Sequence, residues 1–219
     1  MKIMIVNPNS DSEMTRIIQK TADHFAERKF EVVCVATPGA PEFIETREDE
    51  VKAAPGMIKL VRDNAGDYDA FIVACHCDPN LEVLKEIIDK PVIGIGEASM
   101  RIASMLGRRF SIIQTTEESI PLKEALVEKY RLRENLASVR APQNIPRESS
   151  DEEKYLSAAR IAVTEDKADV VVLGCAGLTG MDKRLQKELG IPVLDGVVCA
   201  LILACSLLMP PSFYIFLST

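Results

Sequence analysis

The chain has 219 residues, 47% of them apolar and 27% charged, an ordinary globular composition with enough length for a full hydrophobic core. A net charge of −7, with no cluster of Lys and Arg beside aromatic residues, excludes the electrostatic footprint of a nucleic-acid-binding protein. Small neutral or weakly anionic ligands remain compatible with it.

Taken in chain order, KIMIVN at 2–7 predicts a first strand, with no apolar secretory stretch ahead of it. The expectation is a cytoplasmic protein whose six cysteines, Cys34, Cys75, Cys77, Cys175, Cys199 and Cys205, are free thiols. DSEMTRIIQKTADHFAERK then reads as a helix, with Met14, Ile17, Ile18, Ala22 and Phe25 on one face. EVVCVAT at 31–37 is the second strand, and ETREDE after it is a solvated helix start. AFIVAC at 70–75 and PVIGIG at 91–96 are the third and fourth strands.

The second half repeats the rhythm with RFSIIQT at 109–115, ASVRAP at 137–142, DVVVLGC at 169–175 and IPVLDG at 191–196. RAPQNIPRESSDEE, 140–153, reads as a polar loop ending in an N-cap-like Ser before acidic residues. From Gly196 to Thr219 there is no charge, but Pro210 and Pro211 interrupt the run. Before them lie only about 13 residues, short of the ~20 that a membrane span needs. The expectation is a terminal helix buried in the fold or in a homo-oligomer interface, and no membrane.

Apolar strands without alternation are buried on both faces, as in a parallel sheet covered by helices, so the alternating strands and helices predict an α/β fold. The two halves predict two pseudo-symmetric lobes, each a parallel sheet of about four strands flanked by helices, with the active site in the cleft between them. The first lobe is assigned 1–95 plus a returning C-terminal helix at 196–219, and the second 96–195.

VACHCDPN, 73–80, places Cys75, His76 and Cys77 in a row. Sulfur and imidazole at this spacing fit a metal knot, a redox pair or half of an active site. A structural zinc usually takes two separated ligand pairs, and no second pair follows, so no metal is assigned. Cys75 and Cys175 each end the third strand of their half, and open parallel sheets bind ligands beyond such ends. Amides and helix N-termini there are expected to lower a thiol's pKa toward neutrality.

Two thiols facing one cleft suit removal of a proton from one face of a carbon and its return to the other, with acid and base exchanging roles. Sulfurs placed for that lie on the order of 7 Å apart. In GCAGLTG, 174–180, the small residues beside Cys175 let amides approach a ligand and stabilise an enolate.

In order along the chain, VNPNS, ATPGAPEFIE, CHCDPN, PVIGIGEA, IIQTT, VVVLGCAGL and PVLDGV resemble the motifs of hydantoin racemases, members of the cofactor-independent aspartate/glutamate racemase superfamily. The resemblance covers nearly all of the chain up to about residue 200. It implies a catalytic pair at Cys75 and Cys175, two α/β lobes, and no metal, pyridoxal phosphate or nucleotide cofactor. It implies a 5-monosubstituted hydantoin as substrate, with Asn7, His76, Cys77, Thr115, Thr116 and Ala176 at the positions that hold the ring. His76 and Cys77 depart from the aromatic and small residues common there; a protonated His76 beside Cys75 would lower that thiol's pKa. Cys34, Cys199 and Cys205 are expected in the core. Rival readings are an amino-acid racemase for aspartate or glutamate, another racemase of this fold such as one for allantoin, and a thiol-based ligand or redox sensor.

Overall fold

The structure is a computed structural model describing residues 1–143 and 150–209. Part of the polar loop, 144–149, and the end of the uncharged C-terminal segment, 210–219, lie outside the described residues. The first half runs β1 (Lys2–Asn7), α1 (Ser12–Ala26), β2 (Glu31–Ala36), α2 (Arg47–Asn64), β3 (Ala70–Val73), α3 (Leu81–Ile87), β4 (Val92–Gly94) and α4 (Ile95–Leu106). The second runs β5 (Phe110–Ile113), α5 (Ile120–Lys129), β6 (Leu136–Arg140), α6 (Asp151–Thr164), β7 (Val170–Leu173), α7 (Asp182–Leu189), β8 (Val193–Leu194) and α8 (Gly196–Leu207).

The strands form two four-stranded sheets with the same topology, β2-β1-β3-β4 and β6-β5-β7-β8. All pairings are parallel. Each run expected as a strand contains one, but the third and fourth runs of each half overshoot: Ile95 and Gly96 already belong to α4, and Gly196 to α8. β3 ends at Val73 and β7 at Leu173, so Ala74–Cys75 and Gly174–Cys175 open turns instead. One ladder bond still reaches past each end, from Ala74 N–H to the Val6 carbonyl and from Gly174 N–H to the Ile113 carbonyl, both 2.8 Å.

The pleat sorts the first sheet's side chains. Ile3, Ile5, Ala70 and Ile72 face α1, α4 and α8, whereas Met4, Val6, Phe71 and Val73 face the α2 and α3 side. In the second sheet Phe110, Ile112, Val170 and Val172 pack with α4 and α5, and Ile113, Val171 and Leu173 with α6 and α7. Each such side chain taken fully from water contributes about 1.5–3 kcal/mol. α4 serves both cores: Ile95 and Ala98 join the first and Met100 and Ala103 the second. α8 returns to pack on α1 and α4. Among the described residues no helix is long and apolar enough to cross a membrane.

Local chemistry fixes the helix starts. ETREDE opens α2 through a capping box, in which Thr46 accepts from Asp49 N–H and the Asp49 carboxylate bonds back. Ser150 does the same with Glu153 at α6, the N-cap expected at the end of the polar loop. On α1, Ile18 and Ala22 are buried and Met14 and Phe25 pack against them.

Candidate active site

The equivalent turns after β3 and β7 open on one cavity of about 520 Å³. Cys75, His76, Cys77, Thr115, Thr116, Cys175 and Ala176 all line it. Phe43, Ile44, Met14 and Leu122 supply apolar wall, and Asn9, Gln114 and Lys123 are polar members that the motifs did not single out.

A buried aspartate pins each cysteine turn. Asp78, 2% exposed, accepts from Gly96 N–H at 2.9 Å, Glu97 N–H at 2.7 Å and the Tyr130 hydroxyl at 2.7 Å. It thus ties the first cysteine turn to the start of α4 and to the residue that ends α5. A Cβ on Gly94 would fall 2.2 Å from the Asp78 carboxylate, so only glycine fits beside it. Burial pushes the Asp78 carboxyl up to about 6, against the pull of its donors. In the second half Asp195 caps α8 through Val197 N–H (2.8 Å) and holds Gly180 N–H (2.8 Å) and the Thr179 hydroxyl (2.5 Å). Gln114 Nε2 donates to the Gly174 carbonyl at 2.6 Å, fixing the floor beside Cys175.

The sulfurs differ in charge. The thiols were expected to be depressed, and for the two strand-end cysteines the reverse holds. Cys75 is raised well above an ordinary thiol because it hydrogen-bonds to Cys77 and is buried beside that sulfur's charge. Burial likewise raises Cys175, opposed by Gly177 N–H and the Lys123 charge. The depressed thiol is Cys77, held down to about 5 by the hydrogen bond from Cys75 and by Lys123, against its own burial. Lys123 is 2% exposed, and its ammonium donates to the Cys77 sulfur at 3.1 Å. The site's anion therefore rests on Cys77, one hydrogen bond from Cys75.

His76 is buried and pushed well below its ordinary pKa by desolvation and then by Lys123, so it is neutral. Charge from His76 does not lower Cys75. Ser99 Oγ donates to the Ile95 carbonyl at 2.7 Å and so receives the His76 Nε2–H at 3.1 Å. That assignment leaves Nδ1 as a bare acceptor, unpartnered among the described residues. Among the described residues no group of three or more His, Cys, Asp and Glu side chains is arranged to hold a metal ion.

Asn7 does not line the cavity. Fully buried, its amide donates to Asn9 Oδ1 (2.6 Å) and Thr15 Oγ1 (2.9 Å), joining the end of β1 to α1. Its neighbour Asn9 reaches the cavity instead. Thr115 and Thr116 stand exposed at the mouth, and Thr116 begins a 3₁₀ turn without a side-chain cap bond. Burial pushes Cys34 and Cys199 up to about 12; Cys199 is buried in the core, whereas Cys34 and Cys205 are partly buried and pack against it.

Two matching lobes with a cysteine turn from each on a shared cavity define the class, an α/β isomerase of the racemase type. The family model for Asp/Glu/Hydantoin racemase matches residues 3–204, and the chain belongs to that family. It is 37% identical to a hydantoin racemase of Pseudomonas sp. (strain NS671), over 90% of this chain and 82% of that one. An allantoin racemase from Klebsiella pneumoniae is 32% identical and superposes with a TM-score of 0.88, covering 94% of this chain and 87% of that one. A glutamate racemase from Bacillus anthracis, 17% identical over 94% of this chain and 81% of that one, has a TM-score of 0.66 and shares the fold.

Proposed function

We propose that the protein racemises 5-monosubstituted hydantoins, without a cofactor, by exchanging the C5 proton between Cys75 and Cys175. The observation that carries this reading is the placement of these two cysteines at equivalent positions beyond β3 and β7, on one cavity. The C5–H bond of a hydantoin lies next to a ring carbonyl, so the carbanion left by deprotonation is delocalised as an enolate. One sulfur takes the proton as thiolate while the other, as thiol, delivers its own to the opposite face.

The pair starts protonated, and Cys77 supplies the missing base. Cys75 passes its proton along the hydrogen bond to the Cys77 thiolate, and the electron pair stays on Cys75 for attack on the C5 proton. The Cys175 thiol then protonates C5 from the other side. The site resets when Cys175 regains a proton and Cys77 releases one. Lys123 keeps the anion affordable in a buried site throughout.

The ring's N–H groups find acceptors in the cavity, the bare Nδ1 of neutral His76 among them. Phe43, Ile44 and Leu122 give the C5 substituent an apolar wall. Among the described lining residues Lys123 is the one buried cation, which favours a neutral ring over the free carboxylate of aspartate or glutamate. Allantoin, itself a 5-substituted hydantoin, fits the same reading with a polar substituent. The test is a panel of enantiopure hydantoins followed by optical rotation; acceleration of none of them over the spontaneous reaction removes the proposal.

A further inference from the structure

We propose that Cys77 and Cys75 form a peroxide-responsive thiol pair inside the active site, in which Cys77 is oxidised and Cys75 resolves it as a disulfide. The pair is separated by one residue in a tight turn, closed by Asp78 N–H on the Cys75 carbonyl at 2.9 Å. Two Cα steps of about 3.8 Å each, folded by that turn, keep the Cα atoms within the ~4.4–6.8 Å that a disulfide bridges. A hydrogen bond between the two side chains already couples Cys75 to Cys77.

A cysteine responsive to peroxide needs thiolate character, access and a resolving thiol. Cys77 has all three. Its sulfur accepts from the buried Lys123 ammonium, it is half-buried on an open cavity, and Cys75 is its neighbour. The charged groups facing it from other elements are Lys123 on α5 and Glu50 and Arg47 on α2, and the protonated Cys175 thiol after β7 is the other titratable group. Glu50 and Arg47 pair with each other at 2.7 Å, and Asp78 is spent on three donors, so neither carboxylate takes Lys123 from the sulfur. No carboxylate lies in ion-pair contact with Lys123 among the described residues, and its partner is Cys77.

The chemistry closes with hydrogen peroxide as oxidant. The Cys77 thiolate attacks the O–O bond, an S–O bond forms, the O–O bond breaks, and hydroxide leaves; sulfur is oxidised and peroxide oxygen reduced. The Cys75 sulfur then attacks the sulfenic sulfur, an S–S bond replaces the S–O bond, and the Cys75 proton leaves with the hydroxide as water. A dithiol reductant returns both thiols. The consequence for activity rests on the reading of Cys75 as a proton-transferring thiol, because the disulfide removes it; the oxidation itself does not depend on that reading.

The test treats the intact protein with hydrogen peroxide near neutral pH. Peptide mapping is expected to show a loss of about 2 Da on the peptide bearing Cys75 and Cys77, reversed by dithiothreitol. Cys75→Ser is expected to trap the Cys77 sulfenate with dimedone, and Lys123→Met to slow that labelling by about tenfold. Activity of the unsubstituted protein is expected to fall with the mass shift, and in Cys77→Ser the peptide bearing Cys75 is expected to keep its mass under the same peroxide treatment. Oxidation appearing first on Cys175, oxygen adducts without the disulfide, or equal oxidation of that peptide in Cys77→Ser would each overturn the proposal. Untreated protein inactive on every hydantoin would count against the racemase reading, while the mass shift would still decide this one.

Discussion

The two cysteine turns are the same device built from different side chains. Each leaves the third strand of its sheet two residues before the sulfur, and each is pinned by a buried aspartate to the N-terminal turn of the helix after the fourth strand. In the first half the aspartate, Asp78, sits on the cysteine turn and reaches the helix. In the second, Asp195 sits at the helix and reaches back to Thr179 and Gly180. The same tie is thus made from opposite ends of the connection. Charge separates the turns: the first carries a second sulfur, Cys77, which the buried Lys123 ammonium reaches from α5 of the other half, and the second has no such partner sulfur beside Cys175. One lobe stores the anion, and the other keeps its thiol protonated.

Several experiments can break or sharpen that contrast, and the largest effects fall on the sulfurs shared by both turns. Cys75→Ser and Cys175→Ser are each expected to lower kcat/KM for racemisation by about 10³-fold or more, with circular dichroism unchanged. Retention of activity by either would dissolve the pairing.

Next comes the loss of a pin. Asp78→Ala strands two backbone N–H groups and the Tyr130 hydroxyl, and Asp195→Ala strands Thr179, Gly180 and Val197, so urea denaturation should show about 2–4 kcal/mol lost in each. Hydrogen exchange distinguishes them, rising in the first turn for one variant and the second turn for the other.

The charge difference predicts the pH profile. The Cys77 thiolate is held down to about 5 from an ordinary 9.0, so the base it supplies is present above that value and is lost as pH falls through it. Activity should therefore be level near neutrality and drop about tenfold per pH unit below about 5. Because Cys175 is raised, loss of its acidic proton affects only the alkaline side. Lys123→Met is expected to move the acid limb toward neutrality by about 1–2 pH units, while an unmoved limb would deny Lys123 its electrostatic role.

The smallest effect belongs to the mouth. Thr116→Ala is expected to change KM by less than about 3-fold, since an exposed hydroxyl is readily replaced by water.

Much of this was legible in the chain. Unalternating β-branched runs marked the strands, because a strand covered on both faces has no polar side to show. Cys75 and Cys175 stood out by their place at strand ends. The pins were harder to read, since each joins residues about 15 to 19 positions apart. Gly94 and Gly96 were a trace of one, as they leave room for the Asp78 carboxylate. Lys123 had a readable sign that the motifs did not use: it falls three and four residues before Leu126 and Val127, on the buried face of α5. What no spacing gave was its partner, Cys77, 46 residues earlier. Asn7 misled for a local reason: its amide serves the β1–α1 corner, and the cavity position passes to Asn9.

The claim of a proton exchanged between two facing sulfurs is tested most directly by isotope. Enantiopure 5-benzylhydantoin and allantoin are each incubated with the protein in heavy water, following optical rotation and deuterium at C5. The account predicts that rotation decays faster than in buffer, that the inverted enantiomer gains deuterium as it forms, and that Cys75→Ser and Cys175→Ser each abolish the enzymatic loss of rotation. Rotation decaying at the buffer rate for both compounds, or inversion surviving the loss of either sulfur, would contradict it.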